Sequence, residues 1–272
     1  MGRGRNAAMR KPRALVLTGN GINTDYETAH AFGLPSVGGE GIRVHLNDLI
    51  AAPQMLRDYQ MLVIPGGFSF GDDIASGKVM AVRLRTAMLE PLSDFVARGR
   101  LVLGICNGFQ ILVKLGLLPN LSGEAQQDVT LTFNDSGRFE DRWVYLTVNP
   151  MSNCVFTMGM DRVYLPVRHG EGKFIPRDLA TLATLEARHC LVMRYVDKDG
   201  QLAGYPWNPN GSVANVAGVC DITGRVFGLM PHPEAYQHFT NHPRWTREVV
   251  PPEGMGVQIF RNAVAYVNEA LS

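Results

Sequence analysis

The stretch LVLGICNGFQILVKLG, residues 101–116, decides the fold. Its first five residues form a nearly unbroken apolar run, the pattern of a strand covered on both faces in a parallel sheet. From Asn107 the pattern turns helical, and Gly116 supplies a terminator. Cys106 therefore falls at the turn between strand and helix, with Gly104 before it and Gly108 after it. A sharp turn of this kind needs small neighbours, so Gly-x-Cys-x-Gly is the thiol counterpart of the Gly-x-Ser-x-Gly nucleophile elbow. A thiolate placed there meets free N–H groups and the positive end of a helix dipole. The same N–H groups can hold an oxyanion formed on a substrate carbonyl. A buried packing cysteine between glycines fits this short pattern equally well.

Working outward, short aliphatic runs alternate with longer amphipathic segments. ALVLT (14–18), IRVHL (42–46) and MLVIP (61–65) read as strands, and DYETAHAF (25–32) as a helix capped by Asn23 or Thr24. Residues 79–99 read as helical, with Val82, Met88, Leu89, Leu92, Phe95 and Val96 near one face and a break expected at Pro91. This alternation predicts an α/β protein with an open, mostly parallel sheet and helices on both faces. The second half differs. VTLTF (129–133), WVYLTV (143–148), RVYLPV (162–167), LVMRYV (191–196) and RVFGLM (225–230) read as strands with little helix between them, so antiparallel edge strands are expected. A final amphipathic helix follows from Gly256. No repeat or linker interrupts this order. Residues 1–12 are expected to form a disordered basic tail and 13–272 a single domain.

Composition narrows the function. Among 272 residues, 26 are basic and 25 acidic, which gives no electrostatic footprint for nucleic acid or an anionic membrane. No apolar run is long enough to span a bilayer, and no secretory leader is evident, so a cytoplasmic location is expected. The four cysteines are widely spaced without a Cys-x-x-Cys pair, which argues against a structural metal or a disulfide framework.

A cysteine nucleophile wants a base. His30, His45, His189, His238 and His242 occupy ordinary helix, strand or loop settings. His232 differs: it stands in GLMPHPEAY, after an apolar strand, with Glu234 two residues on and Pro233 between them. Proline biases the residue before it towards extended backbone, and in such backbone residues i and i+2 face the same side. Glu234 can then orient the imidazole, the base-plus-orienter logic of a catalytic triad.

Taken together, these blocks resemble the class I (triad) glutamine amidotransferases. The likeness rests on PGGFSFGDDIASGK (65–78), GICNGFQIL (104–112), RHGEGKF (168–174), NPNGS (208–212) and GLMPHPE (228–234), five blocks in order. Within that family the sequence is most similar to the glutaminase subunits of phosphoribosylformylglycinamidine synthases. The resemblance implies a flavodoxin-like fold and hydrolysis of L-glutamine, with Cys106 as nucleophile, His232 as general base and acid, and Glu234 as orienting carboxylate. It implies oxyanion donors at Gly67 and Asn107, and substrate contacts from Phe68, Gln110 and His169. For HGEG an ordinary turn is an equal reading. Ammonia would pass to a separate synthetase subunit, with room for a small accessory subunit. GDDIASGKV comes near a phosphate loop, but its glycine spacing is one residue too long and Val79 stands where Ser or Thr is needed. No cofactor is therefore expected in this chain, and ATP and magnesium are expected at the partner. Two alternatives accompany this reading: service to another amidotransferase, and a non-catalytic regulatory domain of the same fold. The sequence departs from many relatives at Ala235, at Thr24 and in longer segments near 120–142 and 235–256.

Overall fold

The computed structural model describes residues 11–271. Residues 1–10 of the expected basic tail lie outside the described residues. Pro12, at the tail's expected boundary, is buried, and its carbonyl accepts the N–H of Glu40 at 2.9 Å.

The first half winds as strand and helix in turn: β1 (Arg13–Thr18), α1 (Asp25–Gly33), β2 (Glu40–His45), α2 (Leu46–Ala51), β3 (Met61–Ile64), α3 (Lys78–Ala97), β4 (Leu101–Ile105) and α4 (Asn107–Leu115). The second half runs β5 (Val129–Thr132), β6 (Glu140–Val148), β7 (Arg162–His169), β8 (Lys173–Pro176), α5 (Leu179–Ala187), β9 (Leu191–Val196), β10 (Val216–Cys220), β11 (Val226–Leu229) and α6 (Val257–Ala270). Nine strands form one sheet in the order β2-β1-β3-β4-β11-β10-β9-β6-β7. The first five of that order are parallel, and every pairing from β11 to β7 is antiparallel. Every residue of β3, β4 and β11 is buried. Helices cover the sheet in pairs: α3 lies on α4, and α1 meets α6 where Phe32 and Phe260 pack edge to face at 5.1 Å. Among the described residues, no helix is long and apolar enough to cross a membrane.

Several expectations change. RVFGLM does not add to an edge: β11 inserts beside β4, parallel to it, at the middle of the sheet. VTLTF does not join the main sheet either, because β5 pairs with β8 in a separate two-stranded ribbon. The strands β8 and β10 and the helices α2 and α5 were not legible, being short or weakly periodic. Asp178 caps α5 by accepting the N–H of Thr181 at 2.7 Å. Pro91 does not break α3, which runs on through it. Met88 on one side and Leu92 and Phe95 on the other are buried, and this anchoring offsets the one backbone bond that proline removes. Val82 is 50% exposed, and the buried stripe instead holds Met80, Ala81 and Leu84. Thr24 occupies the N-cap position of α1 without capping it. Its hydroxyl is engaged elsewhere, as described below.

Candidate active site

The site is built at the carboxyl ends of β4 and β11. Cys106 has φ 51° and ψ −103°, a conformation that costs of order 1–3 kcal/mol for a residue with a side chain. Two hydrogen bonds hold it: its N–H donates to Leu229 O at 2.8 Å, and its carbonyl accepts the N–H of Gln110 at 3.1 Å. The first ties the end of β4 to the strand that delivers His232. The flanking glycines have direct steric reasons. A Cβ on Gly108 would lie 1.8 Å from the carbonyl oxygen of Ile64, and one on Gly104 would lie 2.7 Å from the backbone of Gly108. The helix can start this close to β3 and β4 only because both side chains are missing.

His232 follows β11 in extended backbone and donates its N–H to Pro166 O of β7 at 2.8 Å. Glu234 then sits in a short 3-10 turn, and its Oε1 lies 2.5 Å from His232 Nδ1. Burial works against charge on the ring, but the Glu234 carboxylate and the nearby Cys106 outweigh it, and the His232 pKa is raised to about 10. Nε2 makes no hydrogen bond of normal geometry, although Cys106 lies close enough to bias the ring's charge. Such a loose contact suits an acid–base pair that tightens around a substrate. The Cys106 Sγ also lies 3.6 Å from Arg168 O.

The loop after β3 closes the other side. Gly67 has φ 148°, and a Cβ there would lie 2.4 Å from Gly21 O. Gly66 donates its N–H to Thr24 Oγ1 at 2.9 Å, and a Cβ on Gly66 would lie 2.7 Å from His232 Cε1. Thr24 therefore braces the loop against which the His232 ring rests, a role for which its departure from many relatives was the only signal. Asn107 opens α4, so its N–H lacks an intrahelical acceptor. The side chain of Asn107 accepts the N–H of Ser69 at 3.1 Å and donates to Gln110 Oε1 at 2.9 Å. Gln110 Nε2 donates in turn to Glu171 O at 2.5 Å, so this amide joins α4 to the HGEG turn. Phe68 is 45% exposed at the mouth, with its ring 6.1 Å from that of Phe139.

His169 ends β7, buried. Asn134 donates through Nδ2 to Arg138 O at 2.9 Å and to His169 O at 2.8 Å, so its Oδ1 must be the acceptor facing His169 Nδ1 at 3.1 Å. Nδ1 therefore carries the hydrogen and Nε2 keeps a bare lone pair. Burial, with the charge of His232 added, lowers the pKa of His169 to about 3, so the ring is neutral at physiological pH. The NPNGS block supports this wall: Asn210 donates to Tyr195 Oη at 3.2 Å, and Ser212 Oγ accepts the N–H of Phe174 at 2.9 Å. Sequence reading gave no site role to Asn134 or Tyr195, which lie outside the five family blocks.

Five buried side-chain polar atoms lack a partner among the described residues, and four of them lie here: Ser69 Oγ, His169 Nε2, His232 Nε2 and Glu234 Oε2. Buried polar atoms are ordinarily satisfied, so their concentration at one place marks where a polar ligand belongs. A separate hollow of about 450 Å³, lined by Leu56, Arg57, Pro91, Phe95 and Arg100, lies where β4 begins, away from Cys106.

Residues 11–267 match the family described as CobB/CobQ-like glutamine amidotransferase domain. The chain belongs to the glutamine amidotransferases. Among members of this amidotransferase family, it is 46% identical to a phosphoribosylformylglycinamidine synthase subunit PurQ of Dehalococcoides mccartyi, over 96% of this chain and all of the relative. It is 41% identical to the subunit of the same name from Methanococcus maripaludis, over 95% of this chain and 98% of the relative. The fold superposes on a chain of the PurLQS structure from Thermotoga maritima with TM-score 0.71 and 31% identity, covering 94% and 99% of the two chains. This amidotransferase is thus of the PurQ type, and it is an enzyme. A second Thermotoga maritima glutamine amidotransferase, at 14% identity and TM-score 0.52, shares the fold.

Proposed function

We propose that the chain is the glutaminase subunit of a phosphoribosylformylglycinamidine synthase. The observation that carries the chemistry is the buried Glu234–His232 pair beside Cys106, where strained backbone aims a sulfur at the end of β4. The Cys106 thiolate attacks the side-chain carboxamide carbon of L-glutamine, and the oxyanion forms against the N–H groups of Gly67 and Asn107. The imidazolium of His232, braced by Glu234, gives its proton to the departing ammonia and leaves a γ-glutamyl thioester. His232 then takes a proton from water, which attacks the thioester, releases glutamate and returns the sulfur.

His169 presents a neutral acceptor, which suits a donor such as a carboxamide or ammonium N–H. Phe68 forms part of the apolar mouth. Gln110 acts as a brace between Cys106's helix and the HGEG turn. The ammonia passes to a separate synthetase subunit that holds ATP and magnesium, with a small accessory subunit in the complex and a cytoplasmic setting for the whole.

The test is Cys106→Ala assayed with the synthetase. Glutamine-dependent synthesis is expected to fall by about three orders of magnitude or more, while synthesis from added ammonium continues. A glutamine-analogue alkylator should label Cys106 in the unsubstituted chain. Loss of both activities with the complex still assembled would contradict the division of labour.

A further inference from the structure

The loop between β3 and α3 follows an uncommon backbone path. Gly67, Phe70, Gly71, Asp72, Ile74 and Gly77 all have positive φ, at 148°, 55°, 71°, 54°, 74° and 72°. Residues with side chains persist in that region only where their surroundings hold them there. The Asp72 carboxylate makes the holding contacts. It accepts from Ser76 Oγ at 3.0 Å, from the N–H of Gly77 at 3.2 Å and from Asn107 Nδ2 at 3.0 Å. Asn107 returns the connection nearer the loop's start by accepting the N–H of Ser69 at 3.1 Å. Gly77 packs straight onto α4, where a Cβ would lie 2.8 Å from Ile111 Cγ1. Burial disfavours the charge on Asp72 and pushes its pKa up, while the three hydrogen bonds oppose that shift. Glu171 adds like charge, and Lys78 and Lys114 stand in the same cluster.

We infer that Asp72 is a positioning residue that locks the N–H groups of Gly67 and Asn107 into one rigid oxyanion-binding unit. One of those donors sits on the loop and the other on the helix, and among the described residues no backbone hydrogen bond between loop and helix keeps them in register. The Asp72–Asn107–Ser69 chain of side-chain contacts does so. The inference rests on the proposed glutaminase reading.

The test uses the full chain assembled with its synthetase. Asp72→Ala is expected to lower kcat for glutamine hydrolysis by about ten- to a hundredfold, with KM within about threefold. Alkylation of Cys106 by iodoacetamide, which forms no oxyanion, is expected to stay within about twofold. Asp72→Asn keeps an acceptor oxygen and is expected to retain at least about a third of kcat. Should Asp72→Ala fail to fold, Ser76→Ala, which removes one of the three bonds, is expected to lower kcat about two- to fivefold at unchanged KM. An unchanged kcat in the folded variant overturns the inference, as does an Asp72→Asn loss equal to that of Asp72→Ala. An unsubstituted complex that alkylates at Cys106 yet does not hydrolyse glutamine overturns the glutaminase reading itself, and is recognised before any variant is made.

Discussion

Strands β3 and β4 are buried along every residue, whereas β6 and β7 alternate buried with open positions. The first pair lies in the parallel half of the sheet and the second in the antiparallel half. Strands sandwiched between helices have nowhere to bend, so the parallel half fixes the Cys106 backbone to within the tolerance of a single missing methyl. The antiparallel half has one freer face and contributes side chains instead: His169, and through its loops Asn134 and Asn210. His232 follows β11, which among the described residues is the one strand paired in parallel on one side and antiparallel on the other. On the proposed reading, a rigid half thus holds the nucleophile, an adaptable half lines its surroundings, and the proton carrier follows the strand on the seam.

The strongest way to break this division is at the seam. Glu234→Gln keeps the shape but removes the charge that raises the His232 pKa, and it should lower kcat about a thousandfold while KM changes little, as read by steady-state glutaminase kinetics. In the rigid half, Gly108→Ala drives a methyl into the Ile64 carbonyl. It should destabilise the fold by at least about 3 kcal/mol in urea unfolding, far beyond a helix-propensity effect, which would favour alanine.

The adaptable half yields a smaller effect that depends on pH. The native His169 pKa of about 3 lies below the ordinary 6.5, so between those values the unfolded chain binds the extra proton and stability falls as pH falls. The slope is at most about 1.4 kcal/mol per pH unit. His169→Gln should flatten the acid limb of the urea midpoint against pH. His232 carries the opposite sign: its raised pKa stabilises fully below 6.5, and that contribution fades as pH rises through about 10. An acid limb unchanged by His169→Gln would show that His169 is not the group responsible.

The same contrast explains what could be read from the residues. Fully buried strands and the Cys106 elbow are local patterns, and each was legible because its reasons lie within a few residues. The pairing of His232 with Glu234 was legible for the same reason, since the two are held by one short turn. The central place of β11 was not, because VFGL carries no mark of which neighbours it pairs with. The survival of α3 through Pro91 depended on burial at Met88, Leu92 and Phe95, again a tertiary matter. The longer segments also gained meaning only in three dimensions. Residues 120–142 supply Asn134, and residues 235–256 lay Tyr236 and His242 against Trp143, while Gln237 donates to Glu234 O at 2.8 Å.

Placing β11 in the middle of the sheet has a consequence for synthesis on the ribosome. A nascent chain that has released Cys106 still lacks both the neighbour that completes one side of β4 and the imidazole that follows β11, more than a hundred residues away. On the proposed mechanism, incomplete chains therefore cannot hydrolyse glutamine, because the residue that arms the sulfur follows the last strand to emerge.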